Sequence, residues 1–213
     1  MYESASSQNR PDSCRWHKFA ALAALALLYG CATVPQGRDL PPIGDWESRQ
    51  QVLGSLPSWS FKGRVAVKAA EDGFNGKINW TQRGDAFEAT VSGPLGVGTV
   101  RIEGDGSAVV LTDKDGTRTE LQDAEVDLRY RFGWAIPVSS LRFWALGIPD
   151  PAIVAETKLD DQERLVLLSQ RDWSVAISRY REAGGQQMPA LLTAEDPQTR
   201  VRIVIDSWLF ADR

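Results

Sequence analysis

From Trp59 to Lys68 the side chains alternate. Trp59, Phe61, Val65 and Val67 fall on one side and Lys62, Arg64 and Lys68 on the other, with Gly63 in the remaining apolar-side position. Successive residues of a strand point to opposite faces, so this stretch buries one face and wets the other. The pattern recurs. Glu71-Asp72-Gly73 turns into Phe74 to Gln82, where Phe74, Gly76, Ile78 and Trp80 oppose Lys77, Asn79 and Thr81. Arg83-Gly84-Asp85 turns again, into Phe87, Ala89 and Val91 alternating with Glu88, Thr90 and Ser92. After Gly93-Pro94-Leu95-Gly96 a further strand runs from Val97 to Glu103, and Asp105-Gly106 and Asp115-Gly116 mark hairpins between shorter strands ending near Leu121. Strands joined by such tight turns form an antiparallel meander.

The period changes at Asp123. A helical pattern spans Asp123 to Arg131, breaks at Gly133-Trp134-Ala135-Ile136-Pro137 and resumes from Val138 to Leu146, with Leu141, Trp144 and Ala145 on one face. Strand character returns over Arg164 to Gln170, Trp173 to Arg181 and Arg200 to Trp208. Upstream, Asp45 is a fitting N-cap for a short helix in which Trp46, Gln50, Leu53 and Leu56 share a face until Pro57 stops it. The expected fold is therefore α+β, mainly β: one domain over residues 45–213, its helices covering one face of a curved sheet.

The N-terminus reads differently. Arg10, Arg15 and Lys18 precede an unbroken apolar run of ten residues, Phe19 to Leu28, which ends at Leu28-Tyr29-Gly30-Cys31. A membrane-spanning helix needs about 20 residues, so this is a signal peptide of residues 1–30 rather than a span. Leu28, Gly30 and Cys31 resemble the lipobox of bacterial lipoproteins, in which the cysteine is acylated and the leader removed. Three acyl chains, each worth about 0.8 kcal/mol per buried CH2, make such an anchor effectively permanent. Residues 31–44, with Pro35, Pro41 and Pro42, read as a semi-rigid tether reaching roughly 40 Å at about 3.1 Å per residue. Under the enterobacterial sorting rule, Asp after the cysteine retains a lipoprotein in the inner membrane; Ala32 is compatible with delivery to the outer one.

Processing leaves little for covalent catalysis. The sequence holds two cysteines and one histidine, and Cys14 and His17 leave with the leader. The mature chain then has no Ser-His-Asp or Cys-His site, no His/Cys zinc site and no internal disulfide. A net charge of −4 argues against nucleic acid, which needs clustered cations. No catalytic residue, metal or cofactor is expected. Asp160, Asp161 and Glu163 are open to an acid/base reading, but before a strand they are more simply a solvated turn. Asp113-Lys114-Asp115-Gly116 lacks the remaining ligands of a calcium loop and reads as a turn.

Two features keep alternatives open. Seven of the eight tryptophans follow Cys31, and small residues (Gly63, Gly76, Ala89) stand among the large ones on the apolar strand sides. The aromatic residues either pack a core or line a cavity that the small residues leave open. Leu95, between Pro94 and Gly96 at a turn tip, either folds back or contacts membrane or a partner. Its burial is worth about 1.5 to 3 kcal/mol, which biases a contact without anchoring it.

These pieces in order resemble the LolB family of outer-membrane lipoproteins: Cys31; Gly63-Arg64; Trp80-Thr81-Gln82; Gly93-Pro94-Leu95-Gly96; Gly133-Trp134 and Ile136-Pro137; Leu141 with Trp144 and Gly147; Leu159-Asp160-Asp161; Trp173; Met188-Pro189; and Trp208. The resemblance implies an unclosed antiparallel β-barrel with a helical lid enclosing an apolar cavity. It implies a monomeric acceptor, lipid-anchored through Cys31 on the periplasmic face of the outer membrane. That acceptor takes acylated lipoproteins from a LolA-type periplasmic carrier and passes them into outer-membrane phospholipid. The loop Pro94, Leu95 and Gly96 would serve membrane targeting and delivery. Phe61, Val65, Trp80, Phe87, Ile136, Leu141 and Trp144 are the candidates for holding acyl chains. The alternative is an accessory lipoprotein that performs no transfer and binds a protein of the outer-membrane assembly machinery.

Overall fold

The computed structural model describes residues 37–69, 72–93, 98–133 and 137–211. Six strands come first: β1 (Ser58–Ala69), β2 (Asp72–Arg83), β3 (Ala86–Ser92), β4 (Val100–Gly104), β5 (Val109–Thr112) and β6 (Arg118–Leu121). Five follow the helices: β7 (Ala155–Leu159), β8 (Leu165–Gln170), β9 (Trp173–Ala183), β10 (Gln186–Glu195) and β11 (Thr199–Ala211). All pair antiparallel in one eleven-stranded sheet of order β6-β5-β4-β3-β2-β1-β11-β10-β9-β8-β7. The first and last strands thus meet at the centre, and the two edges, β6 and β7, are consecutive strands of the sequence. The sheet stays open between them.

The segment joining those edges supplies two of the three helices among the described residues. Helix α1 (Trp46–Gly54) precedes the sheet, while α2 (Ala124–Phe132) and α3 (Val138–Leu146) connect β6 to β7. Their ends are set by local chemistry. Asp45 caps α1 by accepting from Ser48 N at 2.7 Å, and Ser48 Oγ in return accepts from Asp45 N at 3.1 Å. Asp123 caps α2, and Gly133 (φ 73°) and Gly147 (φ 77°) end α2 and α3 in the left-handed conformation that suits glycine.

The helices serve both halves of the sheet. Leu128 of α2 and Val138 just inside α3 join Ile102, Leu111 and Leu121 of β4–β6 in a small core. Leu141, Trp144, Ala145 and Leu146 of α3 join the main core over β1, β2 and β8–β11. At the far side of α2, Arg129 pairs with Asp196 of the β10–β11 turn at 3.2 Å, and Glu125 meets Arg171 of the β8–β9 turn at 3.8 Å. The helical segment therefore spans the gap that strand pairing leaves.

Two expectations shift. Residues 37–44, expected within the tether, lie along the domain: Arg38 N donates to Phe210 O at 3.0 Å, Leu40 N to Gly184 O at 2.8 Å, and Leu40 is buried. Strands β7 and β10 are additional to the pattern. β7 is a polar edge, and Met188 to Leu192 of β10 is buried at every residue, so neither shows a period of two.

Candidate functional site

The concave face of the sheet is an aromatic wall. Trp59 and Phe61 of β1, Trp80 of β2 and Phe87 of β3 lie nearly parallel, with Phe61–Trp80 centroids 6.3 Å apart at 5° and Trp80–Phe87 centroids 4.9 Å apart at 9°. Alternation aims these side chains inward, and register sets Phe61 opposite Trp80. Trp208 of β11 meets Phe61 edge-on at 5.4 Å and stacks along Phe210 at 5.8 Å. Offset stacks and edge contacts are the favoured aromatic geometries.

A buried indole needs an acceptor for its N–H, and Trp80, Trp208 and Trp144 each find one. Trp80 Nε1 donates to Gln82 Oε1 at 3.0 Å, and Gln82, itself buried, passes the chain of bonds to Gly84 O at 2.8 Å. Trp208 Nε1 donates to Pro189 O at 2.9 Å and Trp144 Nε1 to Gln170 Oε1 at 2.9 Å. The Trp80-Thr81-Gln82 sequence thus orients the wall. In the sequence Gln82 stands out only as the end of the Trp80-Thr81-Gln82 stretch, and nothing near Gln170 marks it as a site residue.

Phe61, Val65, Trp80, Leu141 and Trp144 all fall in the main core, and half-buried Phe87 packs against it. Ile136 lies outside the described residues, as do Cys31 and the loop residues Pro94, Leu95 and Gly96. Wall residues and the buried face of α3 belong to one core cluster. A cleft of about 960 Å³ opens at the end of the sheet where β1 begins and β2 and β11 end. Its apolar walls include Trp59, Leu53, Leu56, Phe143 and Leu146, with Arg142 and Asp85 paired at 3.0 Å on its rim. The cleft borders the aromatic wall at Trp59, while the six described candidates are not among its lining residues. Helical phase explains the difference on α3, where Leu141 and Trp144 point to the core and Phe143 to the cleft.

The interleaved glycines do not hollow out this face. A Cβ at Gly63 would stand 2.2 Å from Val204 O, and one at Gly104 would stand 2.3 Å from Phe87 Cε1, the residue it pairs with across the strands. They admit close backbone approach and the covering of a glycine by an aromatic ring.

Helix α1 is held by buried charge. Arg49 is 3% exposed, donates through Nη2 to Gln187 O at 2.8 Å and lies 5.5 Å from the Tyr180 ring, so desolvation pushes its pKa down. Tyr180 donates to Leu165 O at 2.7 Å, and burial pushes its hydroxyl up to about 12. Arg164 covers the same ring at 4.8 Å and is held by Asp160 at 2.6 Å. Burial works against the charge on Asp160, but hydrogen bonds from Arg164 and Gln162 hold its carboxyl below the usual range. Glu163 accepts from Trp46 N at 2.7 Å. Asp160 and Glu163 are thereby occupied in clamping α1 to the β7–β8 turn. No group of three or more metal-binding side chains occurs among the described residues.

The same architecture recurs in solved structures. A LolA superfamily protein from Nitrosomonas europaea aligns with a TM-score of 0.56 over 79% of this chain and 94% of its own, at 8% identity. A DUF1329 family protein from Desulfovibrio piger gives 0.52 over 76% and 89%, at 6% identity. The fold is thus of the LolA type, an open antiparallel half-barrel covered by helices. Sequence narrows the class further. The family model described as outer membrane lipoprotein LolB matches residues 57–208. An outer-membrane lipoprotein LolB from Nitrosococcus oceani is 36% identical over 189 residues, covering 88% of this chain and 94% of that protein. One from Pseudomonas aeruginosa is 34% identical over 197 residues, 91% and 96% respectively. The chain belongs to the LolB family.

Proposed function

We propose that this protein is the outer-membrane acceptor of acylated lipoproteins, anchored through Cys31 and facing the periplasm. Family membership supports a role in lipoprotein localisation. The observation that carries the finer reading is the aromatic concave wall, closed along one side only by helices that bridge two unpaired edge strands. Acyl chains entering between wall and lid exchange apolar contacts for apolar contacts, without breaking the sheet ladder. The phases of α2 and α3 bury Leu128, Leu141 and Trp144, the side chains an acyl chain would meet first. Phe61, Val65, Trp80 and Phe87 line the path beyond them, and Ile136 is proposed to contact acyl chains as well.

Cargo passes from a LolA-type carrier by relative affinity. A difference of 1.4 kcal/mol gives a tenfold bias, which a slightly larger apolar contact supplies. Leu95, with Pro94 and Gly96, then directs release into outer-membrane phospholipid. The acceptor works as a monomer and forms no covalent intermediate.

The test is transfer of a triacylated lipoprotein from its periplasmic carrier to residues 31–213 bearing Cys31→Ala, followed by release into liposomes. Uptake is expected for this chain and for its Leu95→Glu variant alike. Release is expected to fall at least roughly tenfold in the variant, the worth of burying one leucine. A folded chain that takes up no cargo would favour the protein-binding alternative.

A further inference from the structure

The outward face of β11, β1 and β2 carries charge that sheet formation does not account for. Lys62, Arg64 and Lys68 on β1, Lys77 on β2, and Arg200 and Arg202 on β11 are all exposed there, in a chain of net charge −4. Register sets Arg64 directly opposite Lys77, and Lys68 directly opposite Arg200. Like charges so opposed destabilise a sheet. Only Arg64 and Arg200 of the six pair with carboxylates among the described residues, with Asp206 at 2.9 Å and Glu195 at 3.0 Å. Many acids are instead spent in turns and caps, where Asp45, Asp105, Asp113, Asp123, Asp160 and Asp196 accept backbone N–H groups. The fold thus separates its charges and leaves a cationic sheet face.

That face has a shaped centre. A depression of about 360 Å³ lies between Arg64, Lys77 and Arg202, floored by Ala66 and Val204, and is bordered by Gly93, the residue before the Pro94–Gly96 loop. The other end of the same face receives the start of the domain: a methyl group at Gly37 would come within 3.0 Å of Leu209 Cδ1. Leu209 alternates with inward Trp208 and Phe210, so its side chain is on the outward side. Cys31 is six residues before Gly37, a span of at most roughly 20 Å when extended.

We propose that the outward face of β11, β1 and β2 docks on the bilayer that holds the anchor, with anionic phospholipid headgroups seated between Arg64, Lys77 and Arg202. The proposal rests on the reading of Cys31 as a lipid anchor. Lys77 and Arg202, without ion pairs among the described residues, and Arg64, held by Asp206, surround a shallow depression that suits a phosphate. Docking so leaves the concave wall and its helices turned away from the membrane, toward an arriving carrier.

Sedimentation of the mature Cys31→Ala chain with vesicles tests this without help from the anchor. Vesicles of phosphatidylethanolamine and phosphatidylglycerol are compared with phosphatidylethanolamine alone, at low and high salt. The variant carries Lys68→Gln, Lys77→Gln and Arg202→Gln, three exposed side chains without ion pairs, and a control restores charge with Lys68→Arg, Lys77→Arg and Arg202→Lys. Each cation near an anionic surface is worth about fivefold, so the neutral variant is expected to bind on the order of 100-fold more weakly, and the control like the parent. Binding is expected to need phosphatidylglycerol and to weaken with salt. Equal binding of the parent to both vesicles, or undiminished binding of the folded neutral variant, would overturn the proposal. So would a neutral variant that keeps vesicle binding but loses cargo uptake, which would assign this face to the carrier. Cargo uptake lost in parent and variant alike would instead refute the acceptor reading, leaving the vesicle result to decide the docking face.

Discussion

Gln170→Leu is expected to destabilise the domain by about 4 kcal/mol although the two side chains are similar in size. The Gln170 amide is the junction of lid and sheet. Its Oε1 accepts from Trp144 Nε1 at 2.9 Å and Asp150 N at 3.1 Å, and its Nε2 donates to Asp150 O and Ile153 O, both at 2.8 Å. One side chain on β8 thus fastens α3 and the segment that leads from it into β7. Gln170 is 1% exposed, Trp144 0% and Asp150 6%, so water does not readily replace the lost partners. An unsatisfied buried group costs about 1–3 kcal/mol, and four are at stake, although relaxation shares the penalty among them. A loss of that size is a large part of the roughly 5–15 kcal/mol that holds a domain folded. Urea unfolding of variant and parent measures it. A loss under about 1 kcal/mol would show that apolar contact alone seats α3.

The clasp holds α3 at more than one point. Towards its C-terminus α3 is fastened by Gln170 at Trp144 and by the turn at Gly147, and in its first turn by Ser140 Oγ donating to Asp150 Oδ2 at 2.8 Å. Its N-terminus begins at Pro137 with no side-chain cap. Around Val138 and Leu128 the contacts are apolar, while two residues on, the buried Ser140 is hydrogen-bonded to Asp150, and apolar contacts can be replaced by other apolar groups but buried hydrogen bonds cannot. Moving α3 away from the sheet would therefore break buried hydrogen bonds at both Ser140 and Trp144.

Much of this architecture is legible in the sequence, for reasons that individual residues make plain. Strands β1 and β2 announce themselves because one face is wet, and Lys62, Arg64 and Lys77 mark it. Asp45 and Asp123 mark helix starts because short polar side chains satisfy the first free N–H groups. Strand β10 escapes because Met188 to Leu192 is buried throughout and carries Pro189 at a bulge, where the register shifts. The aromatic wall is visible as a set of inward residues, but its polar partners are not. Gln82 and Gln170 look like ordinary strand glutamines, and only the fold brings Gln170 to an indole 26 positions away. Arg49 is similar: on a short helix it reads as solvated, yet Gln187 and Tyr180 lie more than a hundred residues further on.

Gly63→Ala carries the second large expected effect, and it separates two explanations of the same residue. Amid Phe61 and Val65 a glycine reads as room for a ligand. If that were its role, an added methyl group would shrink the cavity and leave the fold intact. The structure gives the position another task. At Lys62/Gly63 the pairing of β1 with β11 shifts register, and the bulge brings the two backbones together. A Cβ there would stand 2.2 Å from Val204 O, 3.1 Å from Val204 C and 3.2 Å from Ile205 Cα. Those atoms are main chain of a central strand, flanked on its other side by β10, and cannot turn away as a side chain would. Gly104 is the useful contrast, because its nearest neighbours belong to the Phe87 ring, which can swing. We expect Gly63→Ala to cost about 3 kcal/mol and Gly104→Ala about half as much, read from urea unfolding midpoints. Gly63→Ala with the parent's stability and reduced acyl-chain uptake would restore the cavity explanation. A destabilised Gly63→Ala that still takes up cargo when folded would place the residue with the curvature of the sheet.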